Sequence, residues 1–206
     1  MKEVQDHYFR LAKERGYRAR SAFKLLEIDE RFRLLRPGLR VLDVGAAPGS
    51  WTQVSASAVG PRGRVIAIDV KEIDGRGLPS NVELVCEDLN EIDPARFASP
   101  PADLVLSDMA PDTTGVPSAD SAVSVRLCNA LLDRVDAWLR PGGSLVMKAF
   151  EGAEYPALLR RAQSLFESVK GFKPKSSRAE SVEMFVVCQR RRSRAASPPP
   201  PRSTAS

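Results

Sequence analysis

Histidine and cysteine, the residues that most often hold a transition metal, are nearly missing from this chain. His7 is the single histidine, and Cys86, Cys128 and Cys188 stand far apart with no C-x-x-C pair. That scarcity argues against a His/Cys zinc site and against a disulfide framework. It reads the three thiols as reduced, buried small hydrophobes. No apolar run approaches the ~18 residues a membrane span requires. The opening "MKEVQDHYFRLAKERGYRAR" lacks the apolar core of a secretory leader. A cytoplasmic protein with no membrane segment and no metal is the expectation. Two phosphate-cradling signatures are absent as well, since nothing reads G-x-G-x-x-G and no glycine-rich run ends in G-K-[ST].

What is present is a globular composition, 43% hydrophobic and 28% charged over 206 residues, enough for one domain with a full core. The net charge of +5 is unevenly spread: residues 1–40 carry +5, residues 170–206 carry +7, and the body between them carries −7. A mildly acidic body with two basic ends suggests a polyanion gripped by the ends, although a solvated basic face plus a disordered tail would give the same split.

The first 40 residues read as two helices. One places Tyr8, Leu11 and Ala12 on one face, Gly16 interrupts, and a second carries Phe23, Leu25, Leu26, Ile28 and Phe32 up to Pro37-Gly38. Five apolar runs follow, at 40–44, 64–70, 81–86, 102–108 and 143–150, continuous as strands buried on both faces should be. Helical stretches separate them, "SWTQVSASAV", "DPARFA" and "SADSAVSVRLCNALLDRVDAWL", which predicts a parallel α/β sheet. After the helix "YPALLRRAQSLF", strands near 167–173 and 181–188 are joined by a link too short for a helical crossover, so they should be antiparallel. The expected organisation is a basic helical extension packed on the catalytic domain (1–36), that domain (37–189), and a disordered basic, proline-rich tail (190–206).

The stretch "VLDVGAAPGSWTQV" (41–54) runs from strand through a glycine turn into helix. Ala46 stands where a dinucleotide turn needs glycine, and Pro48 removes an amide donor, so the turn is poor at holding phosphate. Asp43-x-Gly45-x-x-x-Gly49 suits a nucleoside that bears an amino acid. The glycines let backbone approach the ligand, and the acid suits an α-ammonium group. S-adenosylmethionine has that ammonium, a ribose and an adenine, and no phosphate. Asp69 ends the second strand, where it can take two ribose hydroxyls, and Asp88 follows the third, where it can meet the adenine amine. Each aspartate taken singly also reads as a helix N-cap.

The loop after the fourth strand, "SDMAPDTTG", lacks the [ND]-P-P-[YF] of enzymes that act on exocyclic amines, and no cysteine nucleophile lies there. A hydroxyl acceptor fits better, needing in-line positioning and a base. Lys148, at the end of the fifth strand in "LVMKAFEG", is the candidate base, and a lysine snorkelling at a sheet rim is the plainer alternative. Asp108, Glu183 and Lys24 can reach the same edge. A second ammonium and desolvation would lower the lysine's pKa, and the two acids would raise it.

The order Lys24, Asp108, Lys148, Glu183, together with "DVGAAPGSW", "SDMAP" and "MKAFEG", resembles the FtsJ/RrmJ-type RNA ribose 2'-O-methyltransferases over about residues 7–189. "YRARSAFKLLEID", "LSDMAP" and "KPKSSRAESVEMFVV" resemble the bacterial branch that acts on a uridine of large-subunit ribosomal RNA. The resemblance implies a Rossmann-like methyltransferase fold, its seven-stranded, mostly parallel sheet ending in an antiparallel strand, with helices on both faces. It implies Lys148 as general base with Lys24, Asp108 and Glu183 completing a tetrad. Gly49, Trp51, Asp69, Asp88 and Asp108 become contacts to S-adenosylmethionine, beside Asp43 and Gly45 from the turn. Ser50 departs from the pattern, where the bacterial branch usually has a second glycine. The implied partner is ribosomal RNA, within the large subunit, and a monomer suffices. Arg10, Lys13, Arg15, Arg18 and Arg20 would contact its phosphates. Trp51 is either a stacking platform for a base or a packing residue beside the cofactor. A transfer-RNA or cap 2'-O-methyltransferase, a non-catalytic ribosome assembly factor and, least, a nicotinamide oxidoreductase are the competing readings.

Overall fold

The computed structural model describes residues 2–177 and 181–193. Two helices, α1 (Lys2–Glu14) and α2 (Ala22–Phe32), precede a run of β1 (Arg40–Val44), α3 (Ser50–Val59), β2 (Arg64–Asp69), β3 (Val82–Cys86) and β4 (Ala102–Ser107). Then come α4 (Pro117–Trp138), β5 (Leu139–Phe150), α5 (Tyr155–Leu165), β6 (Phe166–Phe172) and β7 (Glu183–Arg191). The seven strands form one sheet in the order β3-β2-β1-β4-β5-β7-β6. β3 to β5 are parallel, and β7 lies antiparallel between β5 and β6, with Lys148 opposite Phe185 and Phe150 opposite Glu183.

Alternate residues of each strand feed two cores. On one face Leu42, Val44, Ile66, Leu145 and Val186 pack with Leu131, Val135 and Trp138 of α4 and with α5. On the other, Val41, Val65, Leu104, Leu106, Val146 and Phe185 pack with Leu25 and Ile28 of α2 and Trp51 and Val54 of α3. A strand covered on both faces must be apolar throughout, which is why the central runs are continuous.

Four expectations change. β3 is an edge strand with only Val85 buried, so Cys86 is exposed rather than a buried hydrophobe; Cys128 and Cys188 are buried. "DPARFA" makes only a 3₁₀ turn, Pro94–Phe97. β5 begins at Leu139, not Gly143, because Pro141-Gly142-Gly143 loops out between the Ala102–Leu139 and Leu104–Ser144 pairings. β7 runs on through Arg191, a buried residue whose guanidinium donates to Asp136 Oδ1 at 2.7 Å. Residues 190 and 191, expected in a disordered tail, therefore belong to β7, and 194–206 lie outside the described residues. Among the described residues no helix is long and apolar enough to cross a membrane, and no cluster of three or more His, Cys, Asp or Glu is placed to hold a metal.

Candidate active site

Parallel strands end together, and here their carboxyl ends deliver acids to one rim. A cavity of about 400 Å³ opens there, lined by Gly45 and Ala47 of the glycine turn, by Asp69, Asp88 and Asp108 after β2, β3 and β4, and by Met109. Five carboxylates, those of Asp69, Glu87, Asp88, Asp108 and Asp112, face it against one ammonium, Lys71. Such a lining repels phosphate and favours a cationic ligand of nucleoside size.

Each acid is also fixed by its neighbours. Asp69 Oδ2 accepts from Ala47 N at 2.8 Å, pulling the glycine turn onto β2, and Oδ1 accepts from Lys71 N at 2.8 Å. Asp88 Oδ1 accepts from the backbone and side-chain nitrogens of Asn90, at 2.8 and 3.0 Å. Neither follows the N-cap reading, since no helix starts at these aspartates and α3 is capped by Gly49 in the left-handed region (φ 99°). Gly45 is required by packing: a Cβ there would lie 2.3 Å from Met109 Cγ, so the close approach it permits is by the β4 loop.

Asp43 is fully buried and lies beneath the turn, outside the cavity lining. Thr52 Oγ1 donates to its Oδ2 at 2.7 Å, while Oδ1 has no partner. Burial pushes its carboxyl up to about 7 against the pull of Thr52, and the charges of Asp108 and Asp69 push the same way.

Lys148 comes off β5 beside the end of β4. Its Nζ donates to Asp108 Oδ1 at 2.8 Å and to the Asp108 carbonyl at 2.6 Å. Asp108 thus belongs to the cavity wall and to this pair at once. On the same face of β7, two residues before Phe185, Glu183 takes Lys24 Nζ on both carboxylate oxygens, at 2.7 and 2.9 Å. Ser177 Oγ donates to Glu183 Oε1 at 2.9 Å. Burial raises the Glu183 pKa, but the Lys24 ammonium, Lys148 and Ser177 outweigh it and hold the carboxyl below its ordinary range. Phe185 links the two pairs: it is the β7 partner of Lys148, and Lys24 Nζ sits 5.6 Å from its ring centroid.

Other expected site residues go elsewhere. Trp51 is 2% exposed, packs on Phe185, and donates its indole N–H to Ser21 O at 2.8 Å. It can be neither a platform for a base nor part of the cavity wall, because α2 lies over it. Ser50 is used, its hydroxyl 2.7 Å from that of Ser21, so the departure from glycine ties α2 to α3. Gly49 also stays out of the cavity lining and leaves room for Arg18. The Arg18 guanidinium donates to Pro48 O at 3.0 Å and Arg76 O at 2.6 Å, clasping the glycine turn to the loop after β2. The guanidinium expected to contact phosphate thus also bridges two backbone carbonyls. Arg10, Lys13 and Arg15 are exposed and Arg20 half-buried.

Sequence reasoning missed Glu27 of α2, which accepts from Lys175 N at 2.6 Å and Ser176 N at 3.0 Å and so seats the link bearing Ser177. Nothing local marks it, for the contact spans almost 150 residues of chain. Asp112 could have been found, four residues after Asp108 in the same loop.

Known proteins are similar to this chain over most of its length. "Ribosomal RNA large subunit methyltransferase E" of Nitratidesulfovibrio vulgaris (strain DP4) is 49% identical over 91% of this chain and 94% of its own length. The protein of that name from Syntrophobacter fumaroxidans is 46% identical over 92% and 97%. A crystal structure from Plasmodium falciparum, assigned as a ribosomal RNA methyltransferase, superposes with a TM-score of 0.75 at 26% identity, over 86% of this chain and all of that one. Residues 17–191 match the family described as FtsJ-like methyltransferase, and the chain belongs to that family.

Proposed function

We propose that this protein transfers the methyl group of S-adenosylmethionine to the 2'-hydroxyl of a ribose, that of a uridine, in large-subunit ribosomal RNA. The observation that carries the reading is that Asp108, on the wall of an acidic, nucleoside-sized cavity, pairs with Lys148 just behind it. The names of the relatives above support the RNA. Only RNA offers the 2'-hydroxyl.

The donor set fits the cofactor. Asp69 keeps a second lone pair on each oxygen for the ribose hydroxyls, and Asp88 keeps Oδ2 for the adenine amine. The remaining carboxylates complement a net positive ligand. When bound, S-adenosylmethionine supplies an electrophilic methyl on a cationic sulfur.

Lys148 serves as the base. A neutral amine has two N–H bonds and one lone pair. With both protons directed at Asp108, to Oδ1 and the carbonyl, the lone pair is left to face an incoming hydroxyl. Nζ takes the proton of that hydroxyl, and Asp108 then pairs with the ammonium; the bound cofactor would supply the methyl to the oxygen, its carbon–sulfur bond breaking and the neutral thioether leaving. Lys24 and Glu183 stand one strand from Lys148, across Phe185, and alignment of the reacting atoms supplies much of the acceleration.

The test is transfer of labelled methyl to unmethylated large ribosomal subunits, free ribosomal RNA and transfer RNA in parallel, followed by alkaline digestion. Label in an alkali-resistant dinucleotide from the large subunit is expected, because a 2'-O-methyl blocks cleavage of its own linkage. Label in mononucleotides would mean base methylation and would remove Lys148 from this role. Label from transfer RNA alone would keep the chemistry and change the substrate. No label with the cofactor bound would favour an assembly factor.

A further inference from the structure

Beyond the acidic cavity, a groove of about 820 Å³ runs between α1, α2 and the start of the β6–β7 link. Its floor is apolar: Tyr8 and Leu11 of α1, Phe23 and Leu26 of α2, and Phe172 at the end of β6. Its rim is cationic, with Arg15, Arg31, Arg33, Lys173 and Lys175 arriving from three separate segments of chain. Glu27 and Glu30 are the acids in the lining, and both oxygens of Glu27 are already taken by the Lys175 and Ser176 amides. The charge is therefore opposite to that of the cofactor cavity, with five cations against two acids here.

The β6–β7 link ties the groove to the site. Lys175 forms part of its wall, and two residues on, Ser177 bonds Glu183, the partner of Lys24. The link leads from the groove to the edge of the sheet that carries the Lys24–Glu183 pair and, one strand over, Lys148. We propose that this groove holds the single strand of RNA adjoining the nucleotide presented to Lys148, an inference that rests on the RNA-methylating reading above. A cationic rim over an apolar, aromatic floor suits a strand whose phosphates face outward and whose bases lie against the protein. Of the five N-terminal basic residues, Arg15 alone lines it, and its guanidinium stands 5.8 Å from the Phe23 ring centroid. The phosphate contacts shift to Arg31 and Arg33 at the end of α2, which belong to no motif of the sequence, and to Lys175 on the link.

The test compares wild type with the triple variant Arg31→Gln, Arg33→Gln, Lys175→Gln, all three exposed. A second triple, Arg62→Gln, Arg126→Gln, Arg160→Gln, removes the same charge from exposed positions outside the groove. Fluorescence anisotropy reads the affinity of a short ribosomal RNA fragment containing the methylated site as salt is varied. For the groove triple we expect at least a tenfold weaker Kd, and a salt slope shallower by about 2, the loss of three single-strand phosphate contacts. S-adenosylmethionine affinity and Tm, which report folding, should stay at wild-type values. Wild-type affinity and slope in the groove triple would overturn the proposal, as would equal weakening in the second triple. Weakening by an acidic peptide competitor but not by RNA would reassign the groove to a protein partner. Methyl transfer by the wild type is scored separately: its absence sinks the activity, while an unaffected groove triple sinks the groove alone.

Discussion

Two lysine–carboxylate pairs lie on one face of the sheet, joined through Phe185, and their surroundings differ. Glu183 is closed on every side, with both oxygens on Lys24, Ser177 on Oε1, and α2 over the top. Asp108 is open: its carboxylate meets Lys148 through Oδ1, its side chain is 19% exposed, and it faces the cavity. Asp43, on the same face with no cation opposite, gives the limiting case. Its carboxyl rises to about 7 where that of Glu183 falls. Burial alone does not decide the state of an acid here; the presence and reach of a lysine does. In the function proposed above, the closed pair holds geometry and the open one exchanges a proton with the acceptor.

The sharpest way to break this contrast is at the open pair. Lys148→Met is expected to lower methyl transfer by ~10²–10⁴-fold, the range for a lost base, with cofactor affinity by calorimetry within a few fold of wild type. Unimpaired turnover would leave the open pair without a chemical role. At the closed pair the larger effect should be on stability. Glu183→Gln leaves the Lys24 ammonium buried without its counter-charge, at a cost of about 3–5 kcal/mol in urea unfolding. Joining Lys24→Met to Glu183→Leu should recover much of that stability without recovering transfer. Recovered transfer would reduce the pair to packing.

The pH dependence should separate Asp43 from Glu183 by sign. Unfolded, Asp43 titrates near 3.8, and folded at about 7. Between those values the folded state keeps a proton that the unfolded state has lost, so its contribution to stability falls as pH rises through the window. Asp43→Asn should abolish that decline, seen as the difference between two stability–pH curves. Glu183, held below its ordinary value of 4.5, contributes stability that is present above that pH and lost as pH falls through the lower folded value. Difference curves of the same sign would refute the contrast. The smallest effect is expected of Ser177→Ala, which opens one side of the closed pair: about 1 kcal/mol of stability for the lost hydrogen bond, with transfer reduced about twofold. A drop as large as that of Lys148→Met would place Ser177 in the chemistry.

Much of this architecture can be read from local pattern. The apolar runs that became β1, β2, β4 and β5, the antiparallel pairing of β6 with β7 across a short link, and the break at Gly16 all follow from residues near one another in the chain. So does the placing of Asp69, Asp88 and Asp108 on one rim, because parallel strands end on the same side. What local pattern misjudged lies where distant segments meet. Trp51 reads as lining the ligand site until α2 is laid over it, and Cys86 as buried until β3 proves to be an edge; that Arg18 bridges Pro48 and Arg76 is equally out of reach of local pattern.

The sequence by itself therefore determined the elements, the sense of their pairing and the chemistry available at the strand ends, since these depend on side-chain period and on turn residues a few positions apart. Only the tertiary structure decided which lysine meets which acid, whether a charge is enclosed or open to the cavity, and where cations from three segments converge. Those outcomes depend on contacts such as Lys24 with Glu183 and Glu27 with Lys175, which are set by the packing of α2 across β7 and have no counterpart in local spacing.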